Sequence, residues 1–228
     1  MTSNSPPVQK RKPAARNPIR SLWHQIGYAF DRTFKTGGRR HEFEHKYAAH
    51  GDYFGYQTKP YELEKYRRTL ACMKEWRRGK TSALEIGCSV GVFTAMIANE
   101  FDHVTAVDIA REALALAEKQ VAGAGDVAYV QSDLVSLDLG KRFDVVFCAE
   151  VLMYVREADA KRACAVLDAH LAPGGIIIEV TQQDRDAGAP KFFHGWDRIL
   201  GAYFQIMQRV KVDDPVRPYE IVAYARRA

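Results

Sequence analysis

A chain of 228 residues, 47% hydrophobic and 27% charged, has the length and composition of one sizeable globular domain. It has no run of about 18 apolar residues, which excludes a membrane-spanning helix, and no apolar stretch of signal-peptide kind near the N-terminus, so cytoplasmic residence is expected. The net charge of +5 is unevenly placed: residues 1–40 hold nine Lys or Arg against Asp31, a balance of +8, leaving about −3 for the rest, which argues against nucleic acid as a partner of the whole domain.

Residues 1–17, MTSNSPPVQKRKPAARN, are Pro-rich, basic and poor in large apolar groups, and are expected to be disordered. Ile19, Leu22, Ile26 and Phe30 then recur at helical spacing, with Pro18 suited to a first turn. This amphipathic segment, residues 18–35, suits docking on the domain, simple solvated extension, or weak contact with an anionic membrane surface. Gly37-Gly38 breaks the pattern. The HEFEH that follows formally matches a zinc helix at His41 and His45, but its polar, basic setting offers no third ligand and no metal is expected. The four cysteines lack metal or redox spacing and read as small reduced residues. A helix is expected over about 61–76, started by Pro60 and ended by Arg77, Arg78 and Lys80. The organisation is therefore a basic tail (1–40), a helical lid (41–80) and a main domain (81–228).

From residue 82 strand and helix patterns alternate. Strands are expected at 83–86, 104–108, 127–131, 143–148 and 175–180, with helices at about 91–100, 111–121 and 157–171. That alternation means a parallel sheet with right-handed crossovers. After a helix around 196–204, QIMQRVKVDD and YEIVAYARR are joined by so short a link that they form an antiparallel pair.

In such a sheet ligands bind beyond the carboxyl ends of the strands. Gly87 and Gly91 flank the turn after the first strand, with Cys88 between them. Asp108 ends the second strand, 21 residues after Gly87, where a carboxylate can hold two ribose hydroxyls. Asp133 follows the third strand and could accept from an adenine amino group, with Leu134 beside the ring. The row Gly87-Cys88-Ser89-Val90-Gly91 lacks the middle glycine of a dinucleotide fingerprint, and Glu85 just before the turn would repel a pyrophosphate. Both features favour a cationic nucleoside without phosphates, and S-adenosylmethionine is the common ligand of that description.

At this point LEIGCSVG resembles the first motif of the class I S-adenosylmethionine-dependent methyltransferases, VTAVDIA (with Ile109 after Asp108) the acidic second motif, and QSDL the third. FDVVFCAEVLMYV and LAPGGIIIEV resemble the remaining strand signatures. Ser89 departs from the family, whose members often carry a middle glycine. The resemblance implies a Rossmann-like fold, a seven-stranded mostly parallel sheet with a C-terminal antiparallel pair. GDYFGYQTKPYELEKYRRTLACM and VVFCAEVLMYV further resemble the nodulation-protein-S family of N-methyltransferases, which would imply a small-molecule acceptor, an amine or hydroxyl of a saccharide or its conjugate. A competing reading is an RNA or protein methyltransferase anchored by the basic tail.

Glu150, after the fourth strand, is the expected acceptor-binding carboxylate or base, against a bland role as a cap. His194 is the other candidate for proton work. By the resemblance, the segment around Tyr56, Tyr61 and Lys65 lies over the cofactor, with Lys65 meeting its carboxylate. Tyr154 and Trp196 are candidates to stack on the acceptor, or simply to fill the core.

Overall fold

The computed structural model describes residues 37–183 and 195–227. Residues 1–36 of the basic tail, with the helix expected over 18–35, and His194 lie outside these residues.

The chain enters through α1 (Gly37–His50), so the glycine pair starts a helix where the sequence suggested a break. Helix α2 (Pro60–Trp76) begins at its proline as expected. Its buried stripe, Glu62, Lys65, Tyr66, Thr69, Leu70, Cys72 and Met73, keeps helical spacing but includes an acid and a base, which can be buried only if paired.

The main domain follows as β1 (Ser82–Ile86), α3 (Val92–Ala98), β2 (His103–Asp108), α4 (Arg111–Val121), β3 (Asp126–Gln131), β4 (Phe143–Ala149), α5 (Ala160–His170), β5 (Leu171–Gln182), α6 (Trp196–Tyr203), β6 (Phe204–Val212) and β7 (Tyr219–Arg226). Single 3₁₀ turns occupy Leu134–Ser136, Leu152–Tyr154 and Glu157–Asp159. The last of these takes over the start of the helix expected from 157.

The seven strands lie in the order β3-β2-β1-β4-β5-β7-β6, parallel through β5 and antiparallel at β7 and β6. Helices cover both faces, because every central strand is buried on both sides. On one face α1 to α4 pack on Ala83, Val104, Phe147, Ile178 and Ile221. On the other α5 and α6 pack on Leu84, Val146, Ile177 and Val222. Strand order reverses between β1 and β4, which places the ligand crevice of such a sheet at the ends of these two strands.

Candidate active site

The turn after β1 is built by two glycines with left-handed backbones, Gly87 at φ 78° and Gly91 at φ 82°. A Cβ on Gly87 would lie 2.3 Å from Val151 Cγ2, and one on Gly91 2.8 Å from the Cα of Ala117. Side chains at these two positions are therefore excluded by Val151 and by α4. The N–H groups of Gly87 and Cys88 both donate to the Val107 carbonyl, at 2.7 and 2.9 Å, which ties the turn to β2. Ser89 adopts φ 50°, so the residue standing where relatives often have glycine takes up a glycine-like backbone.

Asp108 closes this arrangement from the end of β2. Its Oδ2 accepts from the Ser89 N–H at 2.9 Å and its Oδ1 from the Ala110 N–H at 2.9 Å. The Ile109 N–H also acts on this carboxylate, which leaves it part of its capacity of about four acceptor sites. Burial raises the Asp108 carboxyl to about 6, against the lowering effect of these N–H groups.

Glu85, on the α3 side of β1, accepts from the Thr94 hydroxyl at 2.6 Å. Burial pushes its carboxyl up to about 7, the hydroxyl opposing. Glu85 lines a pocket with Gly87, Cys88 and Ser89 on one side and Tyr56, Lys65 and Glu150 on the other. Tyr66 and Phe93 stack beneath it, centroids 4.7 Å apart. Lys65 is 1% exposed, and its Nζ lies 2.6 Å from Glu62 Oε2 and 2.9 Å from Glu150 Oε1. Glu150 has a left-handed backbone, φ 57°, and its N–H donates to the Val180 carbonyl at 2.8 Å. Strained non-glycine backbone at Ser89 and Glu150 thus flanks the pocket from β1 and β4, the placement expected of a functional site.

Helix α1 crosses over this turn. The Tyr47 hydroxyl shares a 2.7 Å hydrogen bond with Ser89 Oγ. The Glu44 carboxylate accepts from the N–H groups of Arg111 and Glu112, at 2.8 and 3.0 Å, and from Gln131 Nε2 at 3.1 Å. Glu44 thereby caps α4, whose own preceding residue, Ala110, has no side chain able to do so. Negative charge there also suits the helix dipole.

The structure brings Lys65, Glu85, Gly87, Cys88, Tyr56 and Glu150 around one pocket, with Gly91 and Asp108 holding its turn. Ile109, Asp133 and Leu134 stand to one side, past the ends of β2 and β3. Asp133 accepts from the Ser136 N–H at 3.0 Å and so caps a 3₁₀ turn, and Leu134 is buried under the other sheet face. Tyr154 meets Phe43 edge-on at 5.4 Å. Of the two alternatives for Trp196, stacking wall or core, the ring takes the core position: it is 3% exposed and packs with Leu200 and Phe204, because an apolar ring at the start of α6 is drawn onto the sheet.

Sequence reasoning missed Glu44, Tyr47, Thr94 and the pairing of Lys65 with Glu150. Thr94 alone left a trace, one turn inside the helix after the glycines; the others depend on segments brought together only by folding.

A profile of the nodulation protein S family matches residues 37–202. Nodulation protein S of Rhizobium tropici is 26% identical over 196 residues, 82% of this chain and 79% of that protein. A ubiquinone biosynthesis O-methyltransferase of Stutzerimonas stutzeri is 29% identical over 153 residues, 64% of this chain and 62% of that one. Among solved structures, the N-methyltransferase NodS from Bradyrhizobium japonicum, in complex with S-adenosyl-l-homocysteine, superposes with a TM-score of 0.72 at 22% identity, covering 82% of this chain and 97% of that one.

Proposed function

The chain belongs to the nodulation protein S family and is an S-adenosylmethionine-dependent methyltransferase, and we propose that it methylates the amine of a small molecule, a saccharide or its conjugate. The observation that carries this reading is Glu150, a carboxylate on strained backbone in the same pocket as the buried acid Glu85.

The pocket residues fit the cofactor. Glu85 is a buried carboxylate whose hydrogen-bond partner among the described residues is the neutral Thr94 hydroxyl, so a positively charged group beside it would restore its charge. Among the described residues the buried Tyr61 hydroxyl has no hydrogen-bond partner, which leaves it able to receive a polar group. S-adenosylmethionine supplies a methyl group activated by its sulfonium.

Asp108 has lone pairs left for ribose hydroxyls, and the narrow glycine turn of Gly87, Cys88 and Gly91 lets backbone approach the nucleoside. Ile109 would flank the base, with Asp133 near its amino group. Lys65 would hold the carboxylate of the cofactor's amino-acid portion. Glu150 would orient the acceptor ammonium and take a proton at its nitrogen, which must be neutral to act as a nucleophile. Tyr56, with Tyr61 and Tyr154 nearby, would border the acceptor. Holding the acceptor close and in line does most of the remaining work.

Release of S-adenosylhomocysteine in the presence of partly deacetylated chitooligosaccharides, amino sugars, neutral sugars and phenols tests this reading. Turnover is expected on free sugar amines. Turnover confined to neutral sugars or phenols would reject the amine.

A further inference from the structure

Among the described residues, the contact between Lys65 and Glu150 joins two elements that no other charged pair of the pocket joins. Lys65 stands on α2 and Glu150 just after β4, and their side chains are 2% and 15% exposed. The same ammonium is held at 2.6 Å by Glu62, one turn earlier on α2. It also lies 5.1 Å from the Tyr61 ring centre and 5.9 Å from that of Tyr66.

These contacts differ in what can exchange. Glu62 travels with Lys65 on one helix, and the rings cannot leave without disturbing the core. The backbone of Glu150 is pinned, its φ at 57° and its N–H on the Val180 carbonyl, whereas its side chain reaches Lys65 from a separate element, at 2.9 Å. Two carboxylates already share one ammonium, with Glu85 lining the same pocket. A third carboxylate entering there must displace one of them or accept strong like-charge repulsion in a poorly hydrated site.

We propose, on the reading of the site given above, that Lys65 is an exchangeable counter-ion. The cofactor's amino-acid carboxylate takes Lys65 from Glu150, and the released Glu150 carboxylate becomes the group that receives the acceptor ammonium. Lys65 is then a positioning residue for Glu150, and the cofactor must bind before the acceptor finds its anchor. The coupling is reciprocal: whatever frees Glu150 also favours the cofactor.

Calorimetric titration of the full chain with two ligands tests this. S-adenosylhomocysteine carries the amino-acid carboxylate, and 5′-methylthioadenosine is the same thioether nucleoside without it. Glu150→Gln removes the competing charge at nearly constant shape. It should tighten S-adenosylhomocysteine about tenfold, the scale of one exchanged ion pair, and shift methylthioadenosine less than twofold. Glu150→Asn, which tolerates left-handed backbone well, provides the same comparison if the glutamine variant unfolds. Unchanged or weaker binding of S-adenosylhomocysteine by the folded variant overturns the exchange, as does an equal shift for both ligands. Failure of the wild-type chain to bind either ligand sinks instead the cofactor assignment on which the exchange rests.

Discussion

Replacing Glu85 with glutamine separates the two consequences of burying a carboxylate under the glycine turn. Its carboxyl titrates at about 7 in the folded chain against 4.5 for an exposed glutamate, with burial as the main cause. The folded state therefore keeps this proton over a range where the unfolded chain has released it, so stability falls as pH rises from about 4.5 to about 7. Above that window the loss attributable to Glu85 is about 3 kcal/mol. Glutamine keeps an oxygen for the Thr94 hydroxyl but buries an amide N–H₂ without an assigned acceptor, costing about 1 kcal/mol at every pH. The sum predicts a crossover. Glu85→Gln should be about as stable as the wild type near pH 5, within about 0.5 kcal/mol, and about 2 kcal/mol more stable at pH 8. Urea unfolding at the two pH values, with m-values checked for constancy, measures both numbers. Glu179, raised by burial to about 8, bends the curves of both proteins in the same direction and cancels in the difference, whereas Asp108, whose charge helps raise Glu85, adds a smaller change of its own. A stability difference of the same sign and size at pH 5 and pH 8 would refute the reasoning. The same variant should lose more affinity for S-adenosylmethionine than for S-adenosylhomocysteine, which lacks the sulfonium charge.

Gly91→Ala must place a Cβ 2.8 Å from the Ala117 backbone at φ 82°, so strain and overpacking together should cost about 2–4 kcal/mol. Gly140→Ala, at φ 60° with nothing within 4 Å, should cost only about 1 kcal/mol, and thermal melts of the two variants separate clash from backbone strain. Asp108→Ala strips the acceptor from the Ser89 and Ala110 N–H groups and removes the ribose partner, so S-adenosylhomocysteine binding by calorimetry should weaken at least tenfold. Glu150→Ala, in contrast, should tighten that affinity, because it too removes the carboxylate competing for Lys65, while turnover falls by about 10²-fold or more; equal losses of binding in the two variants would show the division of roles to be wrong.

The alternation of apolar strands with helical segments determined the fold, because a strand buried on both faces must be apolar throughout and must be followed by a helix to return it to the same edge. The short link before Tyr219 likewise fixed β6 and β7 as antiparallel. Gly87, Gly91, Glu85 and Asp108 were legible as a site because their chemistry depends on position along the chain: a turn without side chains, and acids at strand ends. Lys65 and Glu150 were legible singly but not as a pair, since they are 85 positions apart and meet only where α2 crosses the end of β4. Trp196 stayed open between two roles for the complementary reason, as an aromatic after the fifth strand reads equally as pocket wall or core until α6 is seated on the sheet. Glu44 carried no signal at all, because capping α4 from α1 requires the lid helix to lie over the ends of β2 and β3. Local geometry was thus encoded locally, whereas the partners of the buried charges were decided by tertiary structure, where desolvation makes an ammonium or a carboxylate seek whatever counter-charge the packed elements bring within reach.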